Sequence, residues 1–351
     1  MIDQTAKLLE YEGCQSAFFS FIHRKKIQYH VTTAFIHNPN SLRNRNDGER
    51  LFSKAKAIFG ELCVYSHHDE QLLDDIKFLY NRGVSTIGIN GGDGSVSSCL
   101  TAIAAVYPKD ALPDIAVIPS GNTNLIASDV GFGRRDSEAM EKLAKPQTLS
   151  HHRRSPIRLS WPGDKNRPAV LGMFGGCAGY ARAVRIAHSP TVLKFAPHDL
   201  AVFLTIISSI ASLFMKKTRH QWLNGDRLSW TAKTVNGAVQ KRERSFLFLT
   251  TGLEKISHKI WPFWDCENAG KGLHFLDVDS FPKDLPRAIF NLLRGKAPLW
   301  IREHPDYASY RAQSINIVTD SDFVLDGEVF SPAPDSRLLL EQGPSFRFLH
   351  D

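Results

Sequence analysis

The first half of the chain alternates between short apolar runs rich in β-branched residues and longer stretches with helical spacing of apolar side chains. Strands are predicted at residues 31–36, 62–65, 86–89 and 115–118. Helices are predicted over residues 48–60, 69–81 and 96–106. Repeated strand–loop–helix units predict a parallel sheet with helices on its faces, and ligands bind at the carboxyl ends of such strands.

From about residue 156 the pattern changes to short β-like segments separated by turns. These segments are residues 157–161, 228–232, 246–249 and 315–318. They favour a mostly antiparallel β region, with one helix over 198–216, and the basic stretch 145–154 is interpreted as a linker. We therefore predict an N-terminal Rossmann-like parallel sheet domain over residues 28–150. A C-terminal, mostly antiparallel β-sandwich domain is predicted over 151–351, with an end that packs back on the first.

The composition is that of an ordinary globular protein, with 42% hydrophobic and 23% charged residues, which argues against disorder. The net charge of +7 favours anionic partners, although simple solubilising charge explains it equally well. Basic residues are dispersed and no recognition module is apparent, so nucleic-acid binding is not predicted. Five cysteines without a close pair, no visible signal peptide and no apolar run of spanning length predict a cytoplasmic protein.

A glycine-rich loop follows the predicted strand 86–89 and precedes a helix. Its residues are Asn90, Gly91, Gly92, Asp93, Gly94 and Ser95. Adjacent glycines let backbone N–H groups approach a phosphate, and a helix N-terminus adds donors and a favourable dipole. Asp93 would repel phosphate directly, so we expect it to act through Mg²⁺ or to accept a proton from a substrate hydroxyl. Taken alone, the segment is better explained as a local turn with a capping aspartate.

A second glycine turn follows the next strand. It contains Gly121, Asn122, Thr123 and Asn124. Two such loops at neighbouring strand ends could flank one nucleotide. The chain has neither a Gly-x-x-x-x-Gly-Lys-Ser/Thr nor a Gly-x-Gly-x-x-Gly pattern, so a P-loop, a nicotinamide Rossmann fingerprint and a protein-kinase glycine loop are not supported.

Four motifs resemble those of the diacylglycerol kinase catalytic domain, whose superfamily includes sphingosine kinases and NAD kinases. Residues 89–95 are similar to its Gly-Gly-Asp-Gly-Thr motif, and residues 119–127 to its Pro-x-Gly-Thr-x-Asn-Asp-Phe-Ala segment. Residues 324–328 resemble its Asp-Gly-Glu motif, and residues 38–41 its Asn-Pro-x-Ser-Gly turn. The resemblance covers roughly residues 31–349 in the family's order. Ser95, Asn122, Leu125 and Leu42 depart from the family's Thr, Thr, Asp and Gly.

The resemblance implies a two-domain kinase that holds ATP and Mg²⁺ at the glycine loops. It implies that Asp326 is the base, with Asp93 and Glu328 as the other acidic groups of catalysis, Glu328 supporting nucleotide or metal. The implied nucleotide-binding residues are Asn38, Asn90, Gly91, Gly92, Gly94, Ser95, Gly121, Asn122, Thr123 and Asn124. No residue is assigned as a dedicated metal ligand. Asp326-Gly327 has a second interpretation, because Asp-Gly is a common hairpin turn.

The predicted function is ATP-dependent phosphorylation of a hydroxyl on diacylglycerol or a related lipid. The alternatives are a NAD kinase-like enzyme that acts on a soluble nucleotide and a non-catalytic lipid- or nucleotide-binding regulator. An apolar stretch at 200–215, followed by the basic residues 216–220, predicts peripheral contact with the anionic inner face of a membrane, although a packed helix fits as well. The acceptor and the oligomeric state, a homodimer included, stay open.

Overall fold

The computed structural model describes residues 32–47, 49–66, 69–121, 124–187, 220, 222–241, 243–256, 260–264 and 271–351. Its first sheet has parallel strands at the centre and one antiparallel edge. The strands are β1 (Thr33–His37), β2 (Cys63–Tyr65), β3 (Thr86–Gly91), β4 (Asp114–Pro119), β5 (Ser150–Arg154) and β18 (Phe346–His350). Their order is β2-β1-β3-β4-β18-β5, and only the β18–β5 pair is antiparallel.

Helices connect and cover these strands. The helices between β1 and β5 are α1 (Leu42–Asp47), α2 (Arg50–Phe59), α3 (Asp69–Asn81), α4 (Asp93–Val106), α5 (Leu125–Val130) and α6 (Ser137–Leu143), with 3₁₀ turns at Gly60–Leu62 and Pro146–Thr148. In α3, Leu72, Ile76 and Leu79 lie at helical spacing and are buried. Every residue of β3 is buried, as expected for a central strand covered on both faces.

The second sheet is mostly antiparallel. Its strands are β6 (Ile157–Ser160), β7 (Val170–Gly172), β8 (Phe174–Ala178), β9 (Asp226–Thr234), β10 (Gly237–Lys241), β11 (Arg244–Thr251), β12 (Leu273–Asp279), β13 (Tyr307–Ala312), β14 (Ser314–Thr319), β15 (Phe323–Leu325), β16 (Glu328–Phe330) and β17 (Arg337–Gln342). The described helices of this half include α7 (Gly179–Ala187), α8 (Leu285–Leu293) and α9 (Leu299–Arg302). The predicted fold class, a parallel α/β sheet followed by a mostly antiparallel β region, is confirmed.

The two sheets share buried apolar residues near α4. Leu171, Met173 and Leu253 of the second half pack in the same core cluster as Val96 and Leu100 of α4. This packing holds α4 against β7 and the residue just before β8, the strand that pairs with β15.

The predicted linker at 145–154 is wrong in part, because Ser150–Arg154 is a paired strand of the first sheet. The side chains of this edge strand are mostly exposed, so its sequence is as polar as that of a linker. The boundary between residues 28–150 and 151–351 stays a prediction. The predicted helix over 198–216 and the segment at 200–219 lie outside the described residues. Within the described part of the chain, no helix has the length and apolar character required to cross a membrane.

Candidate active site

Both glycine loops lie at the carboxyl edge of the first sheet. Strand β3 ends at Gly91, and α4 begins at Asp93 with Gly92 as its N-cap. The neighbouring parallel strand β4 ends at Pro119, next to the second loop. The first turn of a helix leaves backbone N–H groups without intrahelical acceptors, so α4 directs donors into this edge. The predicted helix at 96–106 therefore starts earlier, with Asp93–Ser95 inside its first turn.

The two loops touch through their glycines. A Cβ atom on Gly121 would lie 2.5 Å from the Cα of Gly92, closer than atoms can pack. A Cβ on Gly91 would similarly lie 2.5 Å from the Cβ of Ser95. A side chain at Gly121 would push the two loops apart, and one at Gly91 would displace Ser95 within the first loop, which explains why glycine stands at both positions.

Asp93 links the first loop to the helix that follows the second. Its two carboxylate oxygens accept the backbone N–H groups of Leu125 and Ile126, each at 2.9 Å. Burial raises the pKa of Asp93, while these two hydrogen bonds oppose that rise. Both oxygens are thus engaged at the N-terminus of α5, and the geometry favours a positioning role for Asp93. Its predicted part in catalysis stays a prediction.

Asn90 is fully buried beneath the loops. Its amide nitrogen lies 2.8 Å from Nδ1 of His37, and its amide oxygen accepts the hydroxyl of Ser120. Arg135 donates to the same Ser120 hydroxyl at 2.8 Å and to Oδ1 of Asn44 at 2.7 Å. These contacts give Asn90 a structural part, joining the ends of β3 and β4 to α1.

Other residues that are predicted to bind the nucleotide lie around the hydrogen bonds of Asn90. Asn38 donates from its amide to the Ser95 hydroxyl at 2.7 Å, which ties the turn after β1 to the first glycine loop. Asn124, with φ +47°, accepts from the Gly121 N–H at 2.8 Å and donates to the Gly121 carbonyl at 2.7 Å, closing the second loop. Asn122 and Thr123 lie outside the described residues.

Asp326 and Gly327 form the two-residue turn between β15 and β16. Their φ angles are +46° and +90°, as in a type I′ hairpin turn, which favours Asp-Gly. The hairpin interpretation of this dipeptide is therefore correct. It does not compete with the functional interpretation, because the turn places the Asp326 side chain against α4.

The carboxylate of Asp326 sits in a shell of donors. Oδ2 accepts the hydroxyl of Ser97 and, at 2.7 Å, the backbone N–H of Met173, while Oδ1 accepts the N–H of Phe174 at 3.0 Å. Burial raises the pKa of Asp326 to about 7; the Ser97 hydrogen bond lowers it and the charge of Asp93 raises it. These contacts use three of the roughly four acceptor positions of a carboxylate, and the remaining one is on Oδ1.

Two further side chains lie close to the acidic pair. Glu328 is exposed and faces the first glycine loop, since its Oε1 lies 3.5 Å from the position of a Cβ on Gly94. Tyr180 has its pKa raised by burial and by the charges of Asp326 and Asp93. The three predicted acidic residues therefore gather at the first turn of α4.

A mostly apolar groove of about 740 Å³ is lined by Ser97, the hydrogen-bond partner of Asp326, and by Leu325, its chain neighbour, while Asp326 itself does not line it. Its lining includes Leu72, Ala105, Leu112, Val170, Leu325 and Phe330. Glu328 also lines the groove. From Ser97 to Ala105 the groove follows α4 for about 12 Å, at 1.5 Å per residue. None of the described glycine-loop residues belongs to the lining, so the groove and the loops approach the acidic residues from different directions.

The arrangement of carboxylates fits a metal ion that arrives with a nucleotide better than a resident one. In the described ranges no group of three His, Cys, Asp or Glu side chains is placed to hold a metal. Mg²⁺ commonly keeps several waters and is bound through one or two carboxylates together with substrate phosphates. The exposed carboxylate of Glu328 beside Gly94 suits that mode, and the loops offer the phosphate donors.

Sequence reasoning missed three residues that organise the site. Ser97 hydrogen bonds to Asp326, Arg135 braces Ser120, and Tyr180 packs near both aspartates. Ser97 could have been found, because it lies one helical turn after Asp93 and therefore on the same face of α4. Arg135 and Tyr180 carry no local signal, since their partners are distant in sequence.

Comparisons with known proteins agree with this architecture. The family model of the diacylglycerol kinase catalytic domain matches residues 32–152. A Bacillus anthracis protein provisionally described as a diacylglycerol kinase has 17% identity and a TM-score of 0.59, covering 92% of this chain and 97% of its own. A diacylglycerol kinase from the same organism has 15% identity, a TM-score of 0.56 and the same coverages. No curated protein matches the chain.

The family match confirms the resemblance that the glycine motifs indicate for residues 32–152. At these identities the similarity to the two solved structures is one of fold. The acceptor and the nucleotide are therefore matters for proposal.

Proposed function

We propose that the protein is a lipid kinase that transfers the γ-phosphoryl group of Mg·ATP to a hydroxyl of diacylglycerol or a related lipid. The observation that carries the proposal is the position of Asp326, which lies near Gly94 of the first glycine loop and is hydrogen-bonded to Ser97, a residue that lines the apolar groove along α4. Loop donors suit the phosphates of a nucleotide, and a groove of about 740 Å³ lies in the range of about 300–1,000 Å³ typical of small-molecule sites. Its apolar walls suit a hydrocarbon chain.

The residues then divide the reaction as follows. Asp326 accepts the proton of the acceptor hydroxyl at Oδ1 while Ser97 and the N–H groups of Met173 and Phe174 hold the carboxylate still. The acceptor oxygen forms a bond to the γ-phosphorus, the bond to the bridging oxygen breaks, and ADP leaves with its electron pair. Asp93 keeps the second loop in place, and Glu328 lies where it can meet the Mg²⁺ carried by the nucleotide.

The decisive experiment supplies γ-labelled ATP and Mg²⁺ with separate acceptors. The panel is diacylglycerol in detergent micelles, a sphingoid base, a long-chain alcohol and NAD in buffer. Label in a lipid product supports the proposal. Label in NADP alone would establish the NAD kinase-like alternative. ATP consumption at background with every acceptor would favour the non-catalytic regulator.

A pair of variants tests the base within the same assay. Asp326→Asn should abolish transfer while ATP binding, measured by calorimetry, stays close to wild type. Asp320→Asn is the matched control, because its side chain is 62% exposed on the preceding turn and should leave transfer unchanged. Normal turnover by Asp326→Asn would remove this residue from the mechanism.

A further inference from the structure

Two large apolar side chains project from neighbouring helices in the second half of the chain. Phe290 on α8 is 60% exposed and Leu299 on α9 is 67% exposed. Single exposed apolar residues are normal, whereas clustered ones mark interaction surfaces. These two belong to a surface that we name the α8–α9 patch, consisting of Arg287, Phe290, Arg294, Lys296, Leu299 and Arg302.

Helix α8 has a clear inner and outer face. Leu285, Ala288 and Leu292 are buried in an apolar cluster that also contains Ile301 of α9. The outer face presents Arg287, Phe290 and Arg294, which are all exposed. The inner face anchors the helix, so the outward position of Phe290 is fixed by the fold.

Cation–π contacts connect the two helices and their basic residues. The guanidinium of Arg287 lies 4.7 Å from the ring centre of Trp300 on α9, and that of Arg294 lies 5.1 Å from the ring centre of Phe290. The Arg302 Nε donates to the Ala297 carbonyl at 2.6 Å, which holds the connection between the helices in a compact turn. The contact between Arg287 and Trp300 thus joins the two helices that carry Phe290 and Leu299.

The charges of the α8–α9 patch all have one sign. Residues 285–302 contain two arginines in and after α8, one lysine in the turn and one arginine at the end of α9, but no aspartate or glutamate. All four cationic residues are exposed. Basic residues around exposed apolar side chains are the combination that attracts a protein to an anionic bilayer and lets its apolar groups enter the headgroup region.

We propose that the α8–α9 patch docks the protein on an anionic lipid bilayer, with Phe290 and Leu299 entering the headgroup layer and the four basic residues facing acidic headgroups. Charge complementarity selects this occupant over a protein partner, because the four cations of residues 285–302, which are flanked by Asp284 and Glu303, match the continuous negative surface of a membrane. The patch is separate in sequence from the predicted membrane segment at 200–220. Membrane docking can be tested without a substrate, so the outcome does not depend on the proposed function.

The test is co-sedimentation of the full chain with vesicles of phosphatidylcholine alone and with vesicles that also contain phosphatidylserine. Binding is expected to the anionic vesicles only and should weaken as salt rises, because salt screens the contacts. The double change Phe290→Ser with Leu299→Ser should reduce the bound fraction about tenfold. Arg294→Glu with Lys296→Glu should abolish the preference for anionic lipid.

Val235→Ser provides the matched control, since Val235 is also an exposed apolar residue, at 55%, between β9 and β10. It should bind vesicles like wild type. All substituted side chains are exposed, and an unchanged thermal transition will verify folding. Absence of binding to anionic vesicles, or variants that bind as wild type does, overturns the proposal. A change in oligomeric state with Phe290→Ser, without vesicle binding, would assign the patch to self-association instead.

Discussion

At the scale of single residues, the environment of Asp326 determines when the proposed base can act. Its pKa of about 7 reflects burial first, with the Ser97 hydrogen bond opposing and the charge of Asp93 adding. A base takes up a proton only when it is ionised. The rate constant kcat/KM should therefore rise as the pH increases through about 7 and then level off. A profile without an ionisation in this region would contradict the role of Asp326.

Ser97→Ala tests the same environment by removing a hydrogen bond to the Asp326 carboxylate. The Ser97 hydroxyl donates to the carboxylate and stabilises its charged form. Without it the pKa of Asp326 should be higher, so the rising limb of the pH profile should move toward higher pH. Ser98→Ala, one residue further along α4 and lining the groove, should leave the limb in place. Equal shifts in both variants would show that Ser97 acts only through general packing.

Asp93→Asn should raise the KM for ATP and lower stability by about 1–2 kcal/mol, because one charged acceptor at the N-terminus of α5 is lost. Steady-state kinetics and urea unfolding measure the two effects. Asp136→Asn is the control: Asp136 caps α6 by accepting the Ala139 N–H at 2.9 Å without contacting a glycine loop. It should lower stability similarly while KM is unchanged. An unaltered KM in Asp93→Asn would separate this residue from the nucleotide site.

At the scale of elements, α4 carries both halves of the proposed site. Its first turn faces the glycine loops, and its side forms one wall of the groove. Periodicity predicted the helix and its glycine loop from local residues alone. The groove could not be predicted, because its lining comes from α3, α4, β7 and the β15–β16 hairpin, which only the tertiary fold brings together. The contacts of Asp93 with α5 could not be predicted either, because its backbone partners leave no trace in the sequence.

Ala105→Trp tests the groove as the site of the acceptor chain. Ala105 is exposed and lines the groove, so the indole should fill it without disturbing the core. The KM for a long-chain acceptor should rise about tenfold or more, while that for a short-chain acceptor with the same headgroup should change little. Glu138→Trp adds the same side chain at a remote position, where the carboxylate is 53% exposed, and should alter neither. Equal effects on both acceptors would show that the hydrocarbon chain of the acceptor does not bind in the groove.

At the scale of the whole molecule, the last strand completes the first sheet. Strand β18 lies between β4 and β5, and Phe346 and Phe348 are fully buried in the core that surrounds the glycine loops. Strand β18 is almost 200 residues from β5 in sequence, so no local pattern could predict their pairing. The parallel strands β1, β3 and β4 were predictable because each is followed by its own loop and helix. The first sheet thus depends on a strand that follows the whole second sheet in sequence.

Phe348→Ala should show this dependence directly. Removing a buried phenylalanine costs about 3–5 kcal/mol through lost burial and the cavity that remains. Because Phe348 packs in the same cluster as Val96 and Leu100 of α4, loss of ATP binding and loss of secondary structure should occur together at a lower urea concentration than in wild type. Phe290→Ala, at a position that is 60% exposed, should change stability by less than about 0.5 kcal/mol. The contradicting result would be a Phe348→Ala variant that loses strand content early while ATP binding persists to the wild-type midpoint. The glycine loops would then be stable without the final strand, and the sheet would not unfold as one cooperative unit.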